Sequence, residues 1–154
     1  MPARKIVSWV AVILWMVIIF NLSAQVAEQS DQLSTGITEF IMNAIEKFAG
    51  NINVDIGSFN HLVRKNAHFI AYFVLGVLAA NALGRSGLHG YKSILSALLI
   101  CILYAVSDEV HQLFVPGRAG QVKDVIIDNA GASVGIGVYL MFVKFNRRRR
   151  NHTG

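Results

Sequence analysis

Three short stretches concentrate side chains that can carry charge, hold ions or move protons. They are Arg64, Lys65, His68 and Tyr72 in RKNAHFIAY; Asp108, Glu109, His111, Gln112 and Arg118 in SDEVHQLFVPGR; and Asp124, Asp128 and Asn129 in KDVIIDNAG. Lys65, His68 and Tyr72 fall at i, i+3 and i+7, Tyr104, Asp108 and His111 at i, i+4 and i+7, and Asp124 and Asp128 at i and i+4. Each set therefore lies along one stripe of a helix. Asp108, Glu109, Asp124, Asp128 and His68 are candidates for general acid or base work. Arg64, Lys65 and Arg118 are suited to gripping a phosphate or carboxylate. Asp124, Asp128, Glu109 and His68 would also suit a hard divalent cation. No local metal spacing such as HExxH or a DxDxDG loop is present, so no metal is expected and no particular cofactor is indicated. There is no serine-nucleophile motif, phosphate-binding glycine loop or dinucleotide fingerprint. Taken singly, His111 reads as an outer-surface residue, and His61 and His89 carry no signal.

These residues must be positioned by elements made for lipid. Of 154 residues, 54% are hydrophobic and 15% charged, too apolar for a soluble domain of this size. The apolar residues cluster in SWVAVILWMVIIFNL, HFIAYFVLGVLAANAL, SILSALLICILYAV and VIIDNAGASVGIGVYLMFV. Each approaches the roughly 20 residues that span a bilayer. The expectation is an all-α integral membrane protein, a single domain over 1–154, with transmembrane helices at about 6–22, 64–83, 93–115 and 124–145. Short connections at GRSGLHGYK and VPGRAGQVK force antiparallel neighbours, hence an up-and-down four-helix bundle. Gly131 and Gly135 offer a place where a neighbouring backbone can come close.

Charge distribution orients this bundle. Arg4, Lys5, Arg85, Lys92, Lys144 and Arg147 to Arg150 all fall on one side with no acid among them, while all nine carboxylates fall on the other. The positive-inside rule then places both termini in the cytoplasm. The net charge of +5 is explained by this anchoring, so no nucleic acid is expected as partner. A basic start followed by an apolar run and LSAQ has some likeness to a secretory signal, but Ile6 to Leu22 is long for one and Leu22 stands where a small residue belongs. A retained first helix is expected. The lone Cys101 excludes an intramolecular disulfide and reads as a small core residue.

On this topology the chemical residues of all three stretches converge at the outer ends of the second, third and fourth helices. Asp128 lies 17 residues before Phe145, about 26 Å of helix, near the outer edge of a hydrocarbon layer roughly 30 Å thick. Charge facing lipid is costly, so these groups must line the bundle interior or a wet cleft. Between the first two spans, Leu33, Ile37, Phe40, Ile41, Ala44, Ile45 and Phe48 recur at helical spacing. That predicts an extracytoplasmic amphipathic helix over about 31–49, capped by Ser30 or Asp31 and ended by Gly50, followed by a loop over NINVDIGSFN.

The motifs RKNAHFIAYFVLG and YAVSDEVHQLFVPGRAGQVKDVIIDNAGASVG, preceded by WMVIIFNLSAQ, resemble the VanZ-like family of small bacterial membrane proteins. Its pattern is R-K-x-x-H-F-x-x-Y-x-x-L-G, then D-E-x-x-Q-x-F-x-P-x-R and D-x-x-x-N-x-x-G, after an opening W-M-x-x-I-F-x-x-S-x-Q. Asn21 departs from it where an apolar or aromatic residue is usual. Carried over, the signature residues are Arg64, Lys65, His68, Tyr72, Asp108, Glu109, Gln112, Arg118, Asp124 and Asn129, with Asp128 on the stripe of Asp124. The resemblance implies a multi-pass protein of the bacterial plasma membrane with a role in the cell envelope, and its name-giving member is associated with resistance to the glycopeptide teicoplanin. It implies no agreed reaction. Three functions follow as expectations. The first is an outward polar pocket binding a lipid-linked or amphiphilic ligand, such as a lipid-linked cell-wall precursor or a glycopeptide, among membrane lipids. The second is an intramembrane acid/base enzyme acting on a lipid-linked envelope precursor. The third is a non-catalytic structural partner in an envelope complex, with the charges as staples. Whether the protein is an enzyme stays open at this point.

Overall fold

In a computed structural model of the chain, residues 2–25, 32, 35–41, 56–118 and 120–152 are described. Among the described residues four long helices occur: α1 (Pro2–Ser23), α2 (Ile56–Arg85), α3 (Tyr91–Gln112) and α4 (Val122–His152). Each contains a stretch long and apolar enough to cross a bilayer. No strand occurs among the described residues. The architecture is an all-α membrane bundle.

The helix ends differ from the sequence expectations in ways the chain explains. The second span was expected over 64–83, with NINVDIGSFN as a loop, yet residues 56–60 are already helical. The third, expected over 93–115, ends at Gln112. After it Leu113, Phe114 and Val115 donate to the carbonyls of Val110, His111 and Gln112, a tightened i+3 pattern. Pro116 disfavours helical geometry at the residue before it. Arg118 N–H then closes on Val115 carbonyl around Pro116 and Gly117, whose φ of 76° gives a type II turn. The fourth helix, expected over 124–145, runs from Val122 to His152, although its membrane-compatible stretch stops at Asn146. The first, expected over 6–22, begins at Pro2 and ends at Ser23.

At the opposite end of the bundle α2 stops in a Schellman motif. Leu88 N–H bonds Leu83 carbonyl, Gly87 N–H bonds Gly84 carbonyl, and Gly87 adopts a φ of 91°. The compact α2–α3 turn follows from that stop.

Packing is tightest between α2 and α4. A Cβ added at Gly76 would strike the Ala132 carbonyl, one at Gly131 the Phe69 carbonyl, and one at Gly135 the Phe73 carbonyl. The two backbones thus lie in direct contact, as the Gly131 and Gly135 spacing suggested. Around this seam the core is built of Val12, Ile19, Tyr72, Leu75, Ala79, Ala97, Cys101, Ala105, Ala132 and Ile136. Cys101 is a buried core residue. Outward-facing side chains such as Ile13, Leu14, Leu99, Leu103, Met141 and Phe142 are exposed on the bundle's flanks. An apolar surface of that extent belongs against lipid tails.

α1 is fastened to the others by polar links. Trp15 Nε1 donates to Ala71 carbonyl at 2.8 Å, Trp9 Nε1 to Ser86 Oγ at 3.0 Å, and Tyr104 Oη to Met16 carbonyl. Asn21, the position that departs from the family opening, donates to its own helix, at Val17 carbonyl. Of the expected amphipathic helix, residues 35–41 are helical. Within them Thr38 is buried, whereas Phe40 is 76% exposed and Ile37 half exposed. Phe40 is thus turned away from the bundle. Leu33, Ala44, Ile45 and Phe48 lie outside the described residues, as do the helix's proposed caps, Ser30, Asp31 and Gly50.

Candidate functional site

The end of the bundle remote from both termini gathers the last turn of α1, the upper part of α2, the end of α3, the α3–α4 turn and the start of α4. A cavity of about 210 Å³ opens there, lined by residues from α2, α3, the turn and α4. Arg64, Lys65, His68, Gln112, Arg118, Asp124 and Asp128, all expected site residues, form most of its wall, joined by Gly117, Gln121 and Ile127. Helix spacing alone brings Lys65 and His68 to one face of α2, and Asp124 and Asp128 to one face of α4. The close α2–α4 seam turns those faces toward each other. Lys65 Nζ lies 3.7 Å from Asp124 Oδ1, and His68 Nδ1 lies 3.7 Å from Asp128 Oδ1.

At and below the cavity floor sit three carboxylates, of which Asp128 reaches the wall and Asp108 and Glu109 do not. Asp108, 3% exposed, accepts a hydrogen bond from Ser23 Oγ at 2.8 Å through Oδ2, while its Oδ1 accepts none. Asp128, 1% exposed, likewise has an Oδ1 with no hydrogen-bond donor. Tyr72 is fully buried beneath them, its ring 6.2 Å from that of Tyr104, one turn below Asp108. Glu109 is otherwise employed, since its Oε1 accepts the backbone N–H of Gln121 and so ties the end of α3 to the start of α4. Asn129 does not line the cavity. Its amide donates to Val125 carbonyl one turn back at 2.7 Å. His111 stacks on Phe20 with centroids 4.4 Å apart, which makes it an inter-helix contact.

A second cavity, of about 290 Å³ and mostly apolar, adjoins the first. Ile19, Leu22, Ile37, Val63, Ala67 and Ala71 contribute its greasy wall, and Arg64, His68 and Arg118 belong to both cavities. Arg118 is held in place by donating Nε to Gln25 carbonyl at 3.0 Å and a long 3.5 Å contact to Leu22 carbonyl.

A family model described as VanZ/LLP1 matches residues 8–143. The chain belongs to the VanZ/LLP1 family. It is therefore a VanZ-like multi-pass membrane protein, and the matched region takes in the second and third membrane spans whole, most of the first and fourth, and every residue of the two cavities. Comparisons with curated proteins and with solved structures found no match. Three contributors to the VanZ/LLP1 site were not picked out as site residues from sequence: Ser23, Gln25 and Gln121. Ser23 and Gln25 are the S and Q of the S-x-Q that ends the opening motif, so the signal was present. Its meaning depended on α1 packing against the end of α3.

Proposed function

We propose that this protein holds an anionic amphiphile at the membrane surface, with the phosphate-bearing headgroup in the polar cavity and the apolar tail in the adjoining groove. The observation that carries the reading is the pair of contiguous cavities, one polar and one apolar, that share Arg64, His68 and Arg118. Two guanidinium groups at that junction are the chemistry that recognises phosphate by paired N–H donors. The apolar groove opens between α1 and α2 beside outward-facing side chains, where a lipid tail can enter from the bilayer. Charge asymmetry supports termini in the cytoplasm, and on that reading the cavity faces the outer leaflet of a bacterial plasma membrane. A ligand there would be an envelope lipid or a lipid-linked cell-wall precursor, and sequestering it offers a route to lowered susceptibility to a glycopeptide such as teicoplanin.

Native mass spectrometry of the full chain released from its own membrane tests this. Wild type retains one anionic lipid species, and R64Q together with R118Q loses it while the same lipid added back fails to rebind. Equal retention of bulk lipid by both proteins would refute the reading. Mass change of the retained lipid on incubation would instead favour the acid/base enzyme, for which Asp108 and Asp128 are the placed carboxylates.

A further inference from the structure

We propose that His68, Asp108 and Asp128 form a binding site for a divalent first-row metal ion, Mn²⁺ or Zn²⁺, at the floor of the polar cavity. The three side chains come from α2, α3 and α4, and one donor atom of each lies within 4.8 Å of the others. Ligands about 2.1 Å from a common ion stand roughly 3 to 4 Å apart, so the widest separation the cluster allows contracts by about 1 Å, shared between two side chains, to close the site.

Three observations beyond proximity point to a cation. Asp108 and Asp128 are both almost wholly buried, and each keeps an Oδ1 that accepts no hydrogen bond. Buried carboxylate oxygens without partners are costly. Second, of the neighbouring acids Glu109 accepts the Gln121 N–H, and Asp124, less buried, faces Lys65 across 3.7 Å. Third, His68 Nδ1 and Asp128 Oδ1 are 3.7 Å apart, too long for a hydrogen bond but suited to two ligands of one ion.

The surroundings complete the arrangement. Ser23 Oγ donates to the far oxygen of Asp108 and fixes that carboxylate, the kind of outer support metal ligands receive. One nitrogen and two carboxylates suit Mn²⁺ or Zn²⁺ better than Ca²⁺, which takes six to eight oxygens. Because His68 and Asp128 also line the cavity, the ion's remaining positions face the space beside Arg64 and Arg118. A phosphate oxygen there would complete its coordination; this last step rests on the function proposed above, whereas the metal site does not. From sequence, His68 and Asp128 are two of the four residues suited to a divalent cation, but Asp108 is not among them and no metal is expected, because the ligands come one per helix with no local spacing to recognise.

The test uses the full-length protein in detergent, stripped with EDTA, desalted and titrated with Mn²⁺ in the absence of added lipid, read by electron paramagnetic resonance. Wild type takes up one Mn²⁺ per chain, displaceable by Zn²⁺, with a nitrogen hyperfine coupling from one imidazole. H68Q abolishes the nitrogen coupling, and H68Q and D128N each weaken binding about tenfold or more. H89Q, which alters a histidine at the opposite end of the bundle, leaves both intact. Absence of stoichiometric Mn²⁺ or of nitrogen coupling in the wild type overturns the proposal without reliance on any variant. Loss of the coupling in H89Q overturns it too. Metal uptake by a protein that retains no anionic lipid would leave this site standing and remove only the headgroup reading; lipid retention without metal uptake would do the reverse.

Discussion

Ser23 shows how a single hydroxyl can complete a charged site from a helix that otherwise only anchors. It lies in the last turn of α1, 1% exposed, and its partner Asp108 is 85 positions away in sequence. In S23A the carboxylate loses its only hydrogen-bond donor at Oδ2, a change worth about 1–3 kcal/mol for a buried polar group. Thermal unfolding in detergent should therefore fall measurably, and a double-mutant cycle with D108N should return a coupling energy of about 1–2 kcal/mol. Additive effects of the two substitutions would show that the bond contributes nothing. Ser23 stands in the opening motif WMVIIFNLSAQ, but nothing in that stretch tells its role, because its partner Asp108 lies on another helix. Arg64, Lys65, His68, Asp108, Asp124 and Asp128 were legible, since charge placed at membrane depth must have a reason. What the sequence lacked was their division of labour: Glu109 pins a turn and Asn129 bonds its own helix, while Asp108 and Asp128 are left buried and under-bonded.

At the scale of elements, the α2–α4 seam sets the width of the cavity, and the residues that set the seam are glycines. Gly135 sits against the Phe73 carbonyl, whereas Gly137, two positions on, meets nothing within 4 Å. G135A should force the helices apart at a cost of about 1–3 kcal/mol, the usual range for overpacking. G137A should leave stability unchanged or raise it by up to ~1 kcal/mol, because alanine is the better helix former. Comparing the two melting temperatures checks the seam directly, and equal values would contradict backbone contact at Gly135. Because His68 and Asp128 face each other across this seam, G135A should also weaken Mn²⁺ uptake, and unchanged uptake would mean that helix separation does not govern the site. The four spans and the Gly131–Gly135 contact were readable from hydropathy and spacing. The ends were not: polar residues with a glycine look like a loop, yet α2 begins at Ile56, and a proline four residues beyond Gln112 acts on the turn before it.

For the molecule as a whole, everything said about ligand access depends on which face of the membrane the cavity meets, and the fold by itself is silent on that. The charge pattern is not. The end holding Arg4, Lys5, Arg85, Lys92, Lys144 and the Arg147 to Arg150 run contains no acid, and short segments of this kind are retained in the cytoplasm. A green fluorescent protein fused after Gly154 should fluoresce, and alkaline phosphatase fused at the same point should be inactive. Replacing Arg147 to Arg150 by alanine leaves five cations on each side; the orientation should stay in place because Arg4 and Lys5 flank the first helix, which usually dominates, though less protein should insert. Active phosphatase on the wild-type chain would turn the cavity toward the cytoplasm. The two cavities, their shared arginines and the metal ligands would be untouched by that result, but a precursor of the outer leaflet could no longer be the molecule they hold.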